Sequence, residues 1–536
     1  MSVASTERAQ RPMPLLIGYG ERGAVPPPEV IGFKAHNLAR MARLGMPVPP
    51  AFVIGAAWCA HADDVTPALW HDALRALERA TGLRFGDQRR PLLLSVRSGA
   101  MVSMPGMMDT LLNVGLGDAT VGGLIRLTGN PRLAWDGYRR LVAGYGEIVL
   151  GLDAAAFESD LAEVAGDRSE RELDFMELRA LTRRHLDTVQ RLAEHSFPQD
   201  PAAQLEAAVR AVFASWQGEK AVEWRRMKGL DDAMGTAVTV QRMVFGNAGG
   251  ASGAGVGFTR HPSTGEPVPW VDFLFNAQGE DVVSGRRSAA GHDELEQVAP
   301  SVWQALLEAT GQLEREFGDM QDFEFTVEQA QLFLLQTRTG RRTPLAAARI
   351  ALDLWHEGLI DRSEARRRVE GLDETRLMQT RIVGTDGALP TPLASAQSAC
   401  SGVATGEIAL DEARARVRHD AGVPVLLVRT DAETRDVGAV ALAEGVLTAR
   451  GARTAHAAVV ARQLDKVCLV GCDALRIDLA KRMVTIGDRS FMEGEILTLD
   501  GHAGLVYEGE LRTVREPPAG LLAELAELRS GPPPEP

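Results

Sequence analysis

The chain has 536 residues, more than one hydrophobic core accommodates, so we expect about two to four domains. Apolar residues make up 45% and charged residues 24%, the composition of an ordinary globular protein. The formal net charge of −14 argues against general binding to nucleic acids or membrane surfaces, although a local basic cluster can still bind phosphate.

The sequence shows no sign of a membrane or secretory protein. Residues 1–14 are polar and include Glu7 and two arginines, unlike a signal peptide. No run of about 18 apolar residues is present. The four cysteines lack the paired spacing of a zinc site; they are Cys59, Cys400, Cys468 and Cys472. We therefore predict a cytoplasmic protein with reduced thiols and no membrane or nucleic-acid partner.

Residues 1–340 mix strand-like and helical patterns, and we interpret them as the first domain. Apolar runs predict strands at 92–96 and 237–244, among others. Between about 155 and 235, charged segments rich in alanine and leucine predict a helical insertion.

Two features of this region are typical of phosphate sites, although no Walker-type glycine-lysine motif is present. Arg97 follows an apolar strand and precedes Ser98-Gly99, a position suited to contact with phosphate. The glycine-rich stretch 246–257 can close its backbone N–H groups over a polyphosphate. Each feature also has a plainer interpretation, as a surface charge and as a flexible loop.

The sequence from Asp322 to Arg338 alternates as two half-buried strands. A hairpin centred on Ala330 places Asp322 opposite Arg338. It also places Glu324 opposite Gln336, on the same face. Paired carboxylates on a strand can hold Mg²⁺ together with nucleotide phosphates. The alternative is an exposed strand face with a cross-strand ion pair worth about 0.2–1 kcal/mol.

The second half of the chain divides into three predicted parts. Residues 341–389 have the pattern of a helical linker, built as a helical hairpin. Residues 390–512 show short strand-like runs between turn signals, which predicts a compact α/β domain. Residues 513–536 predict a short helix and a proline-rich tail.

His456 is the most informative residue of the chain. It stands at the start of a predicted helix, where free N–H groups and the helix dipole favour bound anions. An imidazole in this position can accept a phosphoryl group on a ring nitrogen and have the new charge stabilised. The plainer interpretation is a polar residue near a helix cap, without chemistry.

Together, these residues resemble the pyruvate, phosphate dikinase family. The resemblance rests on the segments 95–100, 103–110, 246–260, 276–283, 320–338 and 454–462. It runs in order from about residue 30 to 510. The fold that it implies is multidomain α/β (α+β), with an ATP-grasp nucleotide-binding domain, a helical linker and a swivelling phosphohistidine domain.

The resemblance also implies a role for each candidate residue. The residues that would line the ATP site are Lys34, Arg97, Gly253, Gly255, Glu280, Gln336 and Arg338. Asp322 and Glu324 would bind Mg²⁺. His456 would be the phosphorylated nucleophile, with Arg97 and Arg338 stabilising the transferring group. Either Arg139 or Arg140 would reach phosphate. Thr454 would place a hydroxyl near the phosphoryl group, and the matching threonine is a regulatory phosphorylation site in some relatives.

The activity implied is an ATP-dependent phosphotransfer to His456, with phosphate as co-substrate and AMP and pyrophosphate released. The family continues into a C-terminal barrel that binds pyruvate or phosphoenolpyruvate, and we expect no such barrel here. We therefore expect the acceptor to be pyruvate or phosphoenolpyruvate bound to a separate protein, or another small molecule.

Three features depart from the family pattern. The segment 32–37 stands where the family usually has a glycine-rich stretch around Lys34. Ala254 replaces a threonine of the phosphate-covering loop, and Gly250 and Ala251 replace residues that are often acidic. Losing one hydroxyl near phosphate costs about 0.5–1.5 kcal/mol, which weakens ATP binding without abolishing it. A non-catalytic ATP-binding regulatory or scaffold protein is the alternative.

Overall fold

A computed structural model of the chain describes residues 12–20, 23–102, 104, 108–166, 168–193, 195–283, 291–384, 389–431, 436–451, 453 and 456–530. The chain divides into two compact units, one of residues 1–250 with 333–337 and one of residues 251–332 with 338–536. Both contain helices and strands, so the predicted multidomain mixed α/β class is confirmed. None of the helices in the described part of the chain combines the length and apolar character needed to cross a bilayer.

The first unit is built on a five-stranded antiparallel sheet with the strand order β1-β2-β7-β5-β6. Its strands are β1 Leu15–Ile17, β2 Ala51–Ile54, β3 Arg84–Phe85, β4 Pro91–Leu92, β5 Leu94–Ala100, β6 Thr110–Val114 and β7 Thr236–Arg242. Its helices are α1 Pro28–Ile31, α2 Phe33–Arg43, α3 Pro67–Thr81, α4 Val121–Thr128, α5 Pro131–Ile148, α6 Ala154–Ala165, α7 Phe175–Leu192, α8 Pro201–Ala214 and α9 Glu219–Lys228.

Helices α5 and α7 pack together and cover one core of this unit. Helix α5 begins where its sequence favours it. Pro131 fixes the first backbone angle, and the Asn130 side chain accepts the N–H of Leu133 at 3.0 Å. The core beneath includes Tyr138 and Leu141, together with residues of β5 and α8. Burial of these apolar side chains is the main stabilising contribution.

The second unit contains most of two larger sheets, and residues 333–337 of β11 belong to the first unit. The strands are β8 Gly253–Phe258, β9 Trp270–Phe275, β10 Gln321–Glu328, β11 Gln331–Thr339, β12 Gln379–Ile382, β13 Ala394–Ser395, β14 Gln397–Cys400, β15 Val403–Ala409, β16 Val425–Arg429, β17 Gly445–Thr448, β18 Val467–Val470, β19 Leu475–Asp478, β20 Met483–Ile486, β21 Arg489–Met492, β22 Ile496–Asp500, β23 Leu505–Glu508 and β24 Thr513–Glu516. The helices are α10 Gly279–Val283, α11 Asp293–Val298, α12 Pro300–Phe317, α13 Pro344–His356, α14 Arg362–Arg368, α15 Glu374–Leu377, α16 Glu412–Asp420, α17 Val437–Leu442, α18 His456–Gln463 and α19 Ala519–Ser530.

The smaller of these sheets has the order β11-β10-β8-β9 and carries the predicted acidic pair. The larger has the order β13-β23-β22-β15-β16-β17-β18-β14, with β15 to β18 parallel. Helix α18 connects the parallel strands β17 and β18, and packs on one face of this sheet. Strands β12 and β24 pair as an antiparallel ribbon where the chain enters and leaves the larger sheet.

Helices α13, α14 and α19 form a separate apolar cluster around Leu352, Ala365 and Leu525. This cluster includes the helical hairpin that the sequence predicted between 341 and 389. The four cysteines are free, and Cys400, Cys468 and Cys472 are buried. Burial raises the pKa of Cys400 and of Cys468 to about 12, so both thiols are protonated at neutral pH.

Candidate phosphoryl-transfer site

Lys34 and Arg97 lie on adjacent elements of the first unit. Lys34 is the second residue of α2, and Arg97 lies in β5. Gly32 precedes α2 with a φ of 76°, and a Cβ there would overlap the carbonyl oxygen of Gly99 on β5. Glycine is therefore required for the close approach that brings the start of α2 against this strand.

The structure corrects the position of Arg97 within its strand. The sequence placed Arg97 at the strand end, but β5 continues to Ala100. Arg97 pairs with Thr239 on β7 and with Thr110 on β6, and these ladders hold the backbone extended beyond it. Its side chain is half-buried between two buried neighbours in the chain. Alternation thus keeps the guanidinium away from the apolar face.

Gln336 is buried in β11. The next carbonyl along, that of Thr337, accepts the Asn37 side-chain amide at 2.8 Å. Asn37 lies on α2, three residues after Lys34. This bond fixes the strand segment of Gln336 to the helix that carries Lys34, within the first unit.

Arg139 and Arg140 are both held by carboxylates. Arg139 donates from Nε to Asp136 Oδ1 at 3.0 Å, and Arg140 contacts Asp136 Oδ2 at 3.1 Å. Both guanidinium groups also bond to Glu170. Burial alone would raise the pKa of Asp136, but the two arginines outweigh it and lower that pKa. The predicted contact of either arginine with phosphate stays a prediction.

The acidic pair lies on the β10–β11 hairpin of the second unit. Its turn consists of Gln329 and Ala330, with φ of 50° and 63°. The turn therefore consists of Ala330, the predicted centre of the hairpin, and the residue before it. The Gln329 N–H donates to Ser252 Oγ at 2.9 Å, and the Ala330 N–H donates to the Ala251 carbonyl at 3.0 Å. These bonds fix a tight turn that the sequence pattern does not contain.

Asp322 and Glu324 share the partly exposed face of β10, while Phe323 and Phe325 are buried on the other. Arg338 donates from Nε to Asp322 Oδ2 at 2.8 Å, as the predicted shared face requires. Burial raises the pKa of Asp322, Arg338 lowers it, and Glu324 raises it again. The site is thus a pair of carboxylates with one guanidinium, and it attracts cations.

Divalent-cation chemistry fits this pair only with further ligands. Among the described residues, no group of three or more His, Cys, Asp or Glu side chains is arranged to hold a metal. Mg²⁺ in nucleotide sites is usually held by one or two carboxylates, with phosphates and waters completing the octahedron. Asp322 and Glu324 match that donor set.

The glycine-rich stretch is in part a strand. Residues from Gly253 to Phe258 form β8, so the irregular segment ends at Ser252. A Cβ on Gly253 would overlap the Phe273 ring, and one on Gly255 would overlap the Phe325 ring. These two glycines therefore allow β8 to pack under neighbouring aromatic rings. Their predicted contact with ATP stays a prediction.

Helix α18 begins at His456, as the sequence predicted. Ala458 and Ala461 are buried against Val446 and Val470 of the parallel strands. Thr454 lies outside the described residues, as do the side chains of His456 and Glu280. The backbone alone places His456 at the first position of a helix that follows a parallel strand, where backbone N–H groups are free to bind an anion.

Two arginines fix this helix to the sheet of the acidic pair. Arg453 donates to Asp272 Oδ1 on β9, from Nε at 2.7 Å and from Nη2 at 2.5 Å, and its guanidinium lies 4.1 Å from the Trp270 ring centroid. Arg462 lies 5.4 Å from the same ring centroid and 5.1 Å from that of Phe258. Arg462 also lowers the pKa of Asp322. Arg453 and helix α18 therefore contact β8 and β9 of the sheet that carries the acidic pair on β10.

Sequence reasoning missed Asp272, although a signal was present. Asp272 is a charged residue within the apolar strand of β9, and its side chain is fully buried. A buried carboxylate requires a partner, because an unpaired charge in an apolar environment is strongly destabilised. The sequence does not reveal that the partner is Arg453, which is 181 residues away.

Comparisons with known proteins agree with this architecture. A family model described as "Pyruvate phosphate dikinase, AMP/ATP-binding domain" matches residues 62–292, and one described as "PEP-utilising enzyme, mobile domain" matches residues 422–504. The chain is 39% identical to pyruvate, phosphate dikinase of Clostridium symbiosum over 504 residues, which are 92% of this chain and 58% of the relative. It is 41% identical to pyruvate, phosphate dikinase 2 of Zea mays, over 90% of this chain and 56% of the relative.

The chain belongs to the pyruvate, phosphate dikinase family. It spans little more than half the length of the curated relatives that it matches. In this chain, the region matched by the first family model contains Arg97 and Asp272. The region matched by the second contains Arg453 and His456. The contact between Arg453 and Asp272 therefore connects the two regions that the family models recognise.

Proposed function

We propose that the chain is an ATP-dependent phosphotransferase that carries the phosphoryl group on His456. The observation that supports this most directly is the packing of α18 against the sheet of Asp322 and Glu324. The helix start and the carboxylates belong to segments far apart in sequence, and Arg453 and Arg462 join them. A phosphoryl donor bound at the carboxylates is thereby brought to the helix that begins with His456.

The ATP-binding residues are proposed as follows. Lys34, Arg97, Glu280, Gln336 and Arg338 contact the nucleotide. Gly253 and Gly255 border the phosphates. Asp322 and Glu324 hold Mg²⁺, which neutralises phosphate charge when it is bound. Inorganic phosphate binds with the help of Arg139 or Arg140.

The neutral imidazole of His456 then attacks phosphorus in line. Attack at the β-phosphorus breaks the bond to AMP, which leaves with the bonding electrons. Inorganic phosphate next takes the outer phosphoryl group from the histidine, which gives pyrophosphate and phosphohistidine. Arg97 and Arg338 stabilise the charge that develops on the transferring oxygens, and positioning supplies most of the remaining acceleration.

The acceptor is proposed to be pyruvate, the compound in the names of the relatives, or another small molecule. It binds outside residues 1–536, on further residues of the same polypeptide or on a separate protein. The β12–β24 ribbon is the place where residues 390–512 turn relative to the linker, because both connections pass through it.

The test uses ATP labelled separately at the β- and γ-phosphorus, with and without inorganic phosphate. We expect acid-labile label on the protein and release of AMP, and we expect neither in His456→Ala. Label from the β-position that stays on the protein after phosphate is added identifies the dikinase route. Failure to label the protein with ATP and Mg²⁺ would overturn the proposal.

A second candidate function is a non-catalytic ATP-binding regulator. The residues that favour it are Gly250, Ala251 and Ala254, which replace polar groups of the family pattern in and beside β8. Nucleotide binding by calorimetry without any labelled histidine supports this candidate and contradicts the first.

A further inference from the structure

A basic cleft lies in the second unit, away from the acidic pair. It has a volume of about 430 Å³ and is bordered by the start of α13, by α15, by the end of α18 and by β24. Four arginines line it, Arg342, Arg376, Arg462 and Arg515, with Asp465 as the one carboxylate of its lining. We call it the hinge cleft, because it adjoins the β12–β24 ribbon.

The hinge cleft carries an excess of positive charge. Arg342 is committed to Asp319, to which it donates twice at 2.6 Å. Arg376 and Arg515 are exposed, and within the described part of the chain neither makes an ion pair with a carboxylate. Asp465 offsets only one of the remaining guanidinium charges. This excess occurs in a chain whose net charge is −14.

Arg462 brings a buried positive charge to the wall of the cleft. Its side chain is 3% exposed, and Nη2 donates to the Ala399 carbonyl at 2.8 Å. The Nε and Nη1 groups are buried and have no hydrogen-bond partner. Nη2 also donates to the Arg453 carbonyl at 3.1 Å, and the guanidinium lies over the rings of Phe258 and Trp270. Its fixed positive charge at the wall of the cleft favours an anion inside it.

We propose that the hinge cleft binds a multiply charged oxyanion of the phosphate class, such as inorganic phosphate, pyrophosphate or a small phosphate ester. Guanidinium groups match phosphate oxygens with paired N–H donors. The two exposed guanidiniums of Arg376 and Arg515, with the buried charge of Arg462, favour a dianion or trianion over a monocarboxylate. The volume accommodates a phosphate group and a small substituent, and the Thr375 hydroxyl borders it.

Binding at this place has a mechanical consequence, which rests on the proposed function. The guanidiniums come from three segments: α15 of the linker, α18 that begins at His456, and β24 of the ribbon. An anion held by all three resists their separation. The ligand therefore slows the movement of residues 390–512 that phosphoryl transfer to a distant acceptor requires.

The experiment compares charge reversals that differ only in place. Arg376→Glu and Arg515→Glu remove two arginines of the cleft. Arg512→Glu is the matched control, since Arg512 is exposed, lies three residues before Arg515 and does not line the cleft. All three variants change net charge equally, and circular dichroism checks that each is folded.

Calorimetry of the full chain with phosphate, pyrophosphate and acetate as separate probes gives the affinity. We expect phosphate and pyrophosphate to bind about tenfold more weakly to the two cleft variants than to Arg512→Glu, and acetate to bind weakly to all. Equal affinities in the three variants overturn the proposal. A phosphate site at the nucleotide region is common to all three and cancels in the comparison.

Hydrogen exchange separates this inference from the proposed function. Phosphate is expected to slow amide exchange in β24 and at the end of α18 in the Arg512→Glu protein, and not in Arg515→Glu. The His456→Ala protein is expected to retain the same protection, because the site does not depend on phosphorylation of that residue. Unchanged exchange in Arg512→Glu on addition of saturating phosphate contradicts the mechanical consequence.

Discussion

The electrostatic charge of Asp322 and Glu324 is the property that suits this site to a cation. Asp322 is neutralised in part by Arg338 at 2.8 Å, and Glu324 raises the pKa of Asp322 because the two carboxylates repel each other. A cation between them removes that repulsion. The pair could be predicted from the sequence, because alternation along one strand fixes which residues share a face. The turn could not, because it depends on contacts with Ala251 and Ser252 in a distant segment.

Neutralising this pair is expected to remove phosphohistidine formation. Asp322→Asn and Glu324→Gln each delete one negative charge and keep the side-chain volume, and circular dichroism checks that each variant is folded. We expect the rate of His456 labelling to fall by about 10²–10³, the usual cost of losing one electrostatic group in an active site. The labelling rate is measured over a range of Mg²⁺ concentrations.

Glu328→Gln is the control for this series, since Glu328 lies on the same strand at its far end. Its labelling rate is expected to stay within about twofold of the parent, because Glu328 lies outside the proposed carboxylate pair. A control variant as slow as Asp322→Asn would show that the effect arises from the strand and not from the carboxylate pair.

Strand β8 is an element that the sequence analysis predicted incorrectly as part of a glycine-rich loop. The glycines at 253, 255 and 257 alternate with Ala254, Val256 and Phe258, and this period of two is itself the signal of a strand. A glycine count alone predicted a loop. The rings of Phe273, Phe325 and Phe323 occupy the space that side chains at these glycines would take. The reason for glycine at these positions could not be predicted from the sequence of β8 alone, because the rings belong to β9 and β10.

Helix α7 carries a histidine whose pKa couples folding to pH. His185 is 1% exposed, packs on Phe157 of α6 at 5.2 Å between ring centroids, and donates from Nδ1 to the Arg139 carbonyl of α5 at 3.4 Å. Burial lowers the pKa of His185 to about 4, against 6.5 for the free side chain. The folded state therefore binds fewer protons than the unfolded state between these values, so its stability is full above 6.5 and is lost as pH falls.

Replacing His185 is expected to weaken this acid sensitivity. Between pH 6.5 and 5, one such histidine lowers the free energy of unfolding by about 2 kcal/mol. His185→Gln loses that contribution, so its urea midpoint changes less over this range than the midpoint of the parent. His71→Gln serves as control because His71 is 57% exposed. If His185→Gln and His71→Gln follow the same pH dependence, the buried neutral imidazole is not the cause.

For the whole molecule, the family was easier to predict than the contacts between segments. The likeness of short motifs fixed the family, and periodicity located α18 and the helical hairpin. Contacts such as that of Arg453 with Asp272 depend on tertiary structure. The two residues are far apart in sequence, and local sequence pattern does not predict that they meet. The exact limits 1–340, 341–389 and 390–512 stay predictions, since the two compact units divide the chain differently.

The Arg453–Asp272 pair is expected to hold α18 on the sheet of the acidic pair. Arg453→Gln leaves the Asp272 carboxylate buried without its partner, which costs about 3–5 kcal/mol in the packed arrangement. The larger sheet has its own apolar core. Release of Arg453 and α18 from β9 therefore costs less free energy than global unfolding. We expect faster amide exchange in β9 and slower labelling of His456, with an unchanged thermal midpoint.

A double-mutant cycle distinguishes loss of this contact from general damage. In Arg453→Gln with Asp272→Asn, the buried charge is gone and two amides can bond, so exchange in β9 is expected to return most of the way to the parent rate. The coupling energy between the two positions is then about 0.5–3 kcal/mol. Strictly additive effects of the two substitutions would mean that the residues act independently, and that some other contact orients the helix of His456 towards Asp322 and Glu324.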